Sequence, residues 1–236
     1  MMGWLVALLG SYLIGSIPTA YLLVKRWKRL DVRTVGSGNV GATNVARVAG
    51  SRAGAIVFCL DLAKGLVAVL GLAPWLIPSV SPAAQLGCGL SAVLGHAFPL
   101  FLEFRGGKGV ATTIGVLLGT MPLAAAACLT VWLACFLVWR YVSVGSMAAA
   151  VTLPIAQTLT HRPLPEILLG SALALLIIGR HRANIARLVQ GTEHRVGRPS
   201  TTLGTGPERS RRARGSTSPS RDSASPRSGR PLAACG

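Results

Sequence analysis

Long apolar segments separated by short polar loops occupy most of the chain. Helices are predicted near residues 3–24, 53–73, 83–102, 110–121, 123–139, 142–160 and 165–179. A helix needs about 20 mainly apolar residues to cross the hydrocarbon core of a bilayer. The pattern therefore predicts an all-α, polytopic membrane bundle with about seven transmembrane helices.

The apolar stretch 110–139 decides the number of spans, because it is either one long helix or two short ones. It contains Met121-Pro122 near its middle. A proline inside a helix removes a backbone hydrogen bond and clashes with the preceding turn. This favours two short helices and seven spans, although hydropathy alone leaves a six-span bundle open.

Basic residues gather in alternate loops and so predict the orientation. They cluster in segments 25–52, 103–109 and 180–187, with Arg140 between two spans, whereas Arg162 stands in a loop on the opposite side. Lysine and arginine concentrate on the cytoplasmic side of membrane proteins. We therefore expect a multi-pass membrane protein, with its N-terminus outside and its C-terminus and site in the cytoplasm. A six-span bundle would place one basic cluster outside.

The first apolar segment is not predicted to be a cleaved signal peptide. It lacks a basic start, and Lys25, Arg26, Lys28 and Arg29 follow it directly. Such a basic flank after an apolar segment is typical of a retained span. We therefore expect the segment to stay in the protein as its first transmembrane helix.

Composition then narrows the chemistry. The 236 residues are 51% hydrophobic and 13% charged, with a net charge of +17. Residues 1–191 contain only four acids, Asp31, Asp61, Glu103 and Glu166. This scarcity argues against paired-carboxylate catalysis and carboxylate-rich metal sites, and the five cysteines show no C-x-x-C spacing. We expect no metal, no cofactor and no nucleic-acid partner.

The composition changes at about residue 192. Ser, Arg, Gly, Pro and Thr dominate from there to the end. Such a segment lacks the apolar surface needed to fold, although its arginines suit anionic lipid headgroups. The chain is therefore divided into a transmembrane domain, 1–191, and a basic disordered tail, 192–236.

The first loop with candidate chemistry runs Gly36-Ser-Gly-Asn-Val-Gly-Ala-Thr-Asn-Val-Ala-Arg47. Its glycines match a dinucleotide fingerprint, but no strand precedes them, so a Rossmann site is rejected. Glycine-rich backbone and a helix start can still bind an anion. We expect a long helix to follow Thr43 and Asn44, with Arg47 one turn into it. The alternative is a plain glycine-rich turn. The candidate phosphate ligands are Ser37, Gly38, Asn39, Gly41, Thr43, Asn44 and Arg47.

The second loop, 103–109, and the third, Arg180-His-Arg-Ala-Asn-Ile185, add a lysine and a histidine, and a second histidine precedes the second loop. Gly106-Gly107-Lys108 resembles a P-loop fragment that lacks the earlier Gly and the Ser/Thr directly after Lys. Gly106, Gly107 and Lys108 are candidate phosphate ligands, and the alternative for Lys108 is an ordinary positive-inside residue. His181 and Asn184 share a helix face, where the histidine acts as a base, orients a substrate hydroxyl or faces lipid headgroups. His96 is a possible site residue, with structural and functional roles weighted equally.

Two further pairs have competing interpretations. Asp61 and Lys64 lie three residues apart within a predicted span, where ionisable groups are costly and pair with each other. A structural ion pair is favoured. Ser143 and Ser146 begin another span, where serines commonly cap a helix. Ser146 is also placed to reach a phosphate.

Taken together, these motifs resemble the bacterial acyl-phosphate:glycerol-3-phosphate acyltransferase family, PlsY, over roughly residues 5–193. The resemblance also includes Gly-Ser-Ile-Pro at 15–18, Asp61-Leu-Ala-Lys-Gly65, Gly-His-Ala-Phe-Pro at 95–99, Arg140-Tyr-Val-Ser143, His-Arg-Ala-Asn-Ile at 181–185 and Gly191-Thr-Glu193. It implies seven spans, a location in the bacterial inner membrane and an active site that faces the cytoplasm. The implied reaction moves a fatty acyl group from acyl phosphate to the sn-1 hydroxyl of glycerol 3-phosphate and forms lysophosphatidic acid.

The resemblance also implies residue roles and partners. Ser37, Arg47, Lys108 and Ser146 correspond to phosphate ligands, and His181 with Asn184 lies near the glycerol hydroxyls. The partners are the two small-molecule substrates, the lipid bilayer and a functional link to the enzyme that supplies acyl phosphate. A transporter of a phosphorylated solute is the alternative, because it would share the basic loops. Cytidine-nucleotide-dependent phospholipid synthesis would need an acidic metal motif that the chain lacks.

Overall fold

The computed structural model describes residues 2–197, and every regular element in that range is helical. The α-helices in chain order are α1 (Met2–Ser16), α2 (Thr19–Lys28), α3 (Ala42–Ala49), α4 (Ser51–Leu66), α5 (Ala73–Leu76), α6 (Pro82–Ala97), α7 (Val110–Thr120), α8 (Pro122–Trp139), α9 (Val142–Leu159), α10 (Leu164–Arg180) and α11 (Arg182–Val189). A π-helical segment, Val67–Leu72, joins α4 to α5, and a 3₁₀ turn, Leu100–Leu102, follows α6. The all-helical prediction is confirmed for the described residues.

Several of these helices are long and apolar enough to cross a membrane. Continuous spans of suitable length run over Met2–Lys28, Ser51–Leu76, Pro82–Leu102, Pro122–Trp139 and Val142–Leu159. The pair α10 and α11, bent by 53°, raises the number from five to six. Helix α7 has only 11 residues, about 16 Å at the α-helical rise. A seventh crossing therefore depends on this short helix and stays a prediction.

Prolines mark two of the helix breaks. Ile17 and Pro18 separate α1 from α2, and Met121 separates α7 from α8, which begins at Pro122. Met121 has an extended φ of −145°, as expected for a residue before proline. The predicted break at Met121-Pro122 is confirmed: 110–139 forms two helices.

The helix that follows the glycine-rich loop differs from the expectation. One long helix was expected after Thr43 and Asn44, but α3 ends at Ala49 and α4 begins at Ser51. Between them Gly50 has a φ of +95°, which interrupts the helix. Helix α3 begins at Ala42, so Thr43 and Asn44 lie within its first turn instead of before it.

The short helix α7 is buried against α4 through two glycines. A Cβ on Gly65 would collide with the carbonyl oxygen of Thr112, and one on Gly115 with that of Leu62. Small residues at such crossings allow close backbone approach between membrane helices. The close contact holds the start of α7, and the loop before it, against the bundle.

A separate apolar cluster supports the glycine-rich loop. Val32 and Val40 from the loop pack with Val24 of α2, Val45 of α3 and Val57 of α4, all nearly or fully buried. Burying such side chains stabilises a structure by about 1.5–3 kcal/mol each. The loop between α2 and α3 is therefore anchored at both ends by hydrophobic packing.

The last described residues return to the helical unit. The Val196 backbone N–H donates to the carbonyl oxygen of Arg140, and Glu193 bonds side chains of α9 and α11. The basic tail proposed for 192–236 otherwise lies outside the described residues, from residue 198 onward.

Candidate phosphate-binding site

Asn44 organises the glycine-rich loop by binding its backbone. Its amide nitrogen donates to the carbonyl oxygens of Val32, at 3.2 Å, and Val35, at 3.1 Å. Its side-chain oxygen accepts from the Ser37 N–H at 2.8 Å. Gly36, with a φ of +62°, passes so close that any side chain there would collide with Asn44. The sequence proposed Asn44 as a phosphate ligand; here its polar atoms are engaged in holding the loop.

The other candidates on this loop are accessible. Ser37, Thr43 and Arg47 are exposed, and Asn39 is partly exposed. Gly38 has a φ of +70° and Gly41 caps α3 in an extended conformation. The loop therefore presents hydroxyls, backbone N–H groups and one guanidinium outward, as an anion site requires.

The part of the second loop that runs from Gly106 to Lys108 is held by Arg180 at the end of α10. The Arg180 Nε donates to the carbonyl oxygen of Gly107 at 3.0 Å, and its Nη2 donates to that of Gly106 at 2.8 Å. The same guanidinium lies over the Phe98 ring, 5.1 Å from its centroid. Arg180 therefore joins the second loop to the third and leaves Lys108 as the free cation between two glycines.

Several positive charges converge on Lys108. Burial lowers the pKa of Lys108 to about 8, and the charges of Arg187, Arg47 and Arg180 act in the same direction. Glu193 opposes them. Arginines from α3, α10 and α11 thus lie near enough to the second loop to act on its lysine. The three loops, which the sequence predicted to lie on one side of the membrane, meet in one region suited to phosphate. We call it the cationic region, and it contains Lys108, Arg47, Arg180 and Arg187.

His181 is buried where α10 meets α11, just beyond the last spanning helix. Burial and the nearby charge of Lys108 lower the pKa of His181 to about 4, so the imidazole is neutral near pH 7. Its Nδ1 lies 2.8 Å from the carbonyl oxygen of Ile177. Because a carbonyl only accepts, we assign the proton to Nδ1. Nε2 then carries a lone pair that can accept a hydrogen bond from a substrate hydroxyl.

Glu193 connects the third loop to α9. Its Oε1 accepts from Ser143 Oγ at 2.7 Å and from Asn184 Nδ2 at 2.6 Å, and its Oε2 accepts from Arg187 Nε at 2.7 Å. Burial acts to raise the pKa of Glu193, but these hydrogen bonds hold it below its usual range. Glu193 therefore stays ionised and orients Asn184, whose buried Oδ1 has no partner within the described residues.

The two serines on α9 have different partners. Ser143 donates to Glu193, whereas Ser146 Oγ donates to the carbonyl oxygen of Val142, at 2.9 Å, within its own helix. Neither side chain caps α9, whose N-cap residue is Tyr141. The capping interpretation is therefore wrong. Ser146 keeps acceptor capacity and remains a phosphate-ligand candidate.

His96 and the Asp61–Lys64 pair lie behind the second loop. Lys64 Nζ is 2.6 Å from Asp61 Oδ1, which confirms the predicted ion pair. His96 is buried beside it and lies against Gly107. No group of three or more His, Cys, Asp or Glu side chains between residues 2 and 197 is arranged to hold a metal ion.

Sequence reasoning missed the roles of Glu193, Arg180 and Arg187. Glu193 was assigned to the tail, although an acid this close to several basic residues in an acid-poor chain signals pairing. Arg180 was counted only toward orientation. Nothing in the local sequence indicates that it binds the backbone of a loop more than seventy positions earlier.

Comparison with known proteins gives one consistent family. The family model described as glycerol-3-phosphate acyltransferase matches residues 5–191. Glycerol-3-phosphate acyltransferase 2 of Moorella thermoacetica is 46% identical over 198 residues, covering 84% of this chain and all of that protein. The Myxococcus xanthus glycerol-3-phosphate acyltransferase is 48% identical over 190 residues, covering 80% of this chain and 97% of its own length.

Solved structures agree with the sequence relatives. A crystal structure of PlsY, described as an integral membrane glycerol 3-phosphate acyltransferase in its glycerol 3-phosphate form, superimposes with a TM-score of 0.76 at 41% identity. It covers 82% of this chain and 96% of its own. The lysophosphatidic acid form gives a TM-score of 0.74 at 39% identity, covering 82% and 95%.

Proposed function

Because the chain belongs to the glycerol-3-phosphate acyltransferase family, we propose that it transfers a fatty acyl group from acyl phosphate to the sn-1 hydroxyl of glycerol 3-phosphate. The product is lysophosphatidic acid, the result of the first acylation step of phospholipid synthesis. The observation that supports this best is the convergence of Arg47, Lys108 and His181 from three separate loops on one cationic region.

Two phosphate anions repel each other, and the cationic region offsets that repulsion. Ser37 and the surrounding glycine-rich backbone suit the phosphate of the donor. Lys108, Arg47 and Ser146 suit the phosphate of glycerol 3-phosphate. Positive charge near the donor also stabilises the negative charge that develops on the departing phosphate.

The chemistry needs no covalent enzyme intermediate, because acyl phosphate is already an activated mixed anhydride. The glycerol hydroxyl oxygen attacks the acyl carbonyl carbon, the bond from that carbon to the phosphate oxygen breaks, and inorganic phosphate leaves. We propose that Nε2 of His181 accepts the hydroxyl hydrogen bond and aligns the attack. A pKa of about 4 disfavours the imidazolium, so the proton ends on the departing phosphate.

Asn184 completes the alignment. Glu193 binds its amide nitrogen, which leaves its buried Oδ1 available to the substrate. We propose that this oxygen accepts a hydrogen bond from the second glycerol hydroxyl. Asn184 lies about one helical turn from His181, so the two side chains can bind neighbouring hydroxyls. The transporter hypothesis has no support, because the relatives and solved structures above are all named as acyltransferases.

The donor is the part of the proposal most directly tested. Purified protein in lipid is expected to convert acyl phosphate and glycerol 3-phosphate to lysophosphatidic acid and phosphate, seen by mass spectrometry. Acyl-CoA in place of acyl phosphate is expected to give no product. Product from acyl-CoA alone would reject the proposed donor, and no product from either would reject the reaction.

The proposed topology has seven spans, with the site facing the cytoplasm. Single cysteines replacing Thr34, Arg105 or Gln190, each in a cysteine-free background, are expected to react with an impermeant thiol reagent only in inside-out vesicles. A cysteine replacing His161 is the matched control and is expected to react in intact cells. Labelling of residues 34, 105 and 190 from different sides would contradict a single cytoplasmic site.

A further inference from the structure

Three buried ionisable side chains and one partly buried hydroxyl form a cluster that none of the steps above uses. They are Thr19 at the start of α2, Asp61 and Lys64 on α4, and His96 near the end of α6. Asp61, Lys64 and His96 expose only 1%, 6% and 7% of their surface. Buried ionisable groups are costly and are retained where they are well paired, so the partners of this cluster indicate what it does.

The cluster is connected to the break between α1 and α2. Lys64 Nζ donates to the carbonyl oxygen of Ile17 at 2.6 Å, to Thr19 Oγ1 at 3.1 Å and to Asp61 Oδ1 at 2.6 Å. Thr19 Oγ1 donates in turn to Asp61 Oδ1 at 2.6 Å. These bonds attach the start of α2, and the break before it, to the second half of α4.

His96 connects the same cluster to the second loop. Its Nδ1 lies 3.6 Å from Asp61 Oδ1. Its Nε2 lies so close to Gly107 that any side chain at residue 107 would collide with it. The Gly107 N–H also donates to the carbonyl oxygen of His96 at 3.1 Å. The imidazole therefore supports the backbone directly before Lys108.

A small cavity of about 10 Å³ lies against this cluster. That volume admits at most one water molecule. Its lining includes Thr19, Lys64 and His96, and also Val40 of the glycine-rich loop. The cluster thus borders both phosphate loops without reaching the cationic region itself.

We infer that the Thr19–Asp61–Lys64–His96 cluster positions the second loop, so that Lys108 is held ready for the phosphate of glycerol 3-phosphate. This inference rests on the proposed function. The four side chains are positioning residues and act through Gly107. A looser cluster lets the loop, and with it the Lys108 side chain, adopt other orientations. This weakens binding of glycerol 3-phosphate more than it slows turnover.

The test is the Thr19→Val substitution, which removes the hydroxyl at nearly constant volume, with Thr19→Ser as the variant that restores it. Thr19→Val is expected to raise the KM for glycerol 3-phosphate about fivefold, because it removes the two partly buried hydrogen bonds that Thr19 makes with Asp61 and Lys64, with kcat changed less than about twofold. Hydrogen exchange of residues 103–110 is expected to quicken without substrate. Thr19→Ser is expected to match wild type in both measurements.

Two controls separate positioning from general stability. Ser91→Ala removes a 2.7 Å bond from Ser91 Oγ to the Leu8 carbonyl oxygen, which joins α6 to α1 away from the loop, and is expected to leave the KM and loop exchange unchanged. In a Lys108→Ala background, Thr19→Val is expected to add no further rise in KM, because coupled residues are not additive. His96→Asn, which withdraws the imidazole from Gly107, is expected to quicken loop exchange in the same way.

The inference is overturned if Thr19→Val leaves loop exchange and KM at wild-type values, or raises KM equally with and without Lys108. Loop exchange is measured without substrate, so it reports on the cluster even if the wild-type protein makes no lysophosphatidic acid. That last result would reject the proposed function alone.

Discussion

Replacing Lys108 by alanine is expected to lower kcat/KM for glycerol 3-phosphate by about 100-fold, the loss typical of a charged hydrogen bond in a partly buried site. Lys108 lies partly buried between two glycines of the second loop, whereas Arg180 beside it is bound to the loop backbone and Arg105 is exposed. The measurement is steady-state kinetics in lipid with acyl phosphate saturating. Lys108→Arg is expected to recover only part of the loss, because a guanidinium is larger and binds phosphate differently.

Arg105→Ala is the matched control for this prediction. Arg105 is exposed, lies in the same loop and carries the same charge. Its removal tests whether the loop acts only through long-range attraction, which salt screens. Arg105→Ala is expected to change kcat/KM less than about twofold. Equal losses in the two variants would mean that Lys108 acts through long-range attraction and not by direct contact with the substrate phosphate.

Much of the architecture is predictable from hydropathy, because apolar length and helix-breaking prolines are local properties. The break at Met121-Pro122 follows from the proline alone, and the Asp61–Lys64 pair follows from the cost of charge within a span. The end of α3 was not predicted, because it depends on Gly50 adopting a positive φ, and glycine permits that conformation without requiring it.

The site was predictable in its residue types but not in its partners. Asn44 has the chemistry of a phosphate ligand, yet its three hydrogen bonds hold the loop. The sequence indicates that Ser143 caps a helix, yet its hydroxyl donates to Glu193. Both outcomes depend on side chains meeting across the fold, which periodicity and spacing do not encode.

Glu193→Gln is expected to lower kcat/KM for glycerol 3-phosphate about 30-fold at neutral pH and to move its alkaline limb to lower pH. Glutamine cannot accept from Arg187 as a carboxylate does, so one charged hydrogen bond is lost, along with the precise orientation of Asn184. The measurement is kcat/KM against pH in wild type and variant. Glu103→Gln, which removes an exposed carboxylate from the second loop, is the matched control.

The direction of the pH shift follows from the charge of Lys108. Burial lowers its pKa to about 8, and Glu193 acts to raise it. The wild-type kcat/KM, which reports on the free enzyme, is therefore expected to fall as pH rises past about 8 and Lys108 loses its proton. Without the charge of Glu193 the pKa of Lys108 drops further, so the fall begins at lower pH. Glu103→Gln is expected to leave the limb in place. An unchanged limb in Glu193→Gln, or one at higher pH, would show that Glu193 acts only by holding Asn184 and Arg187.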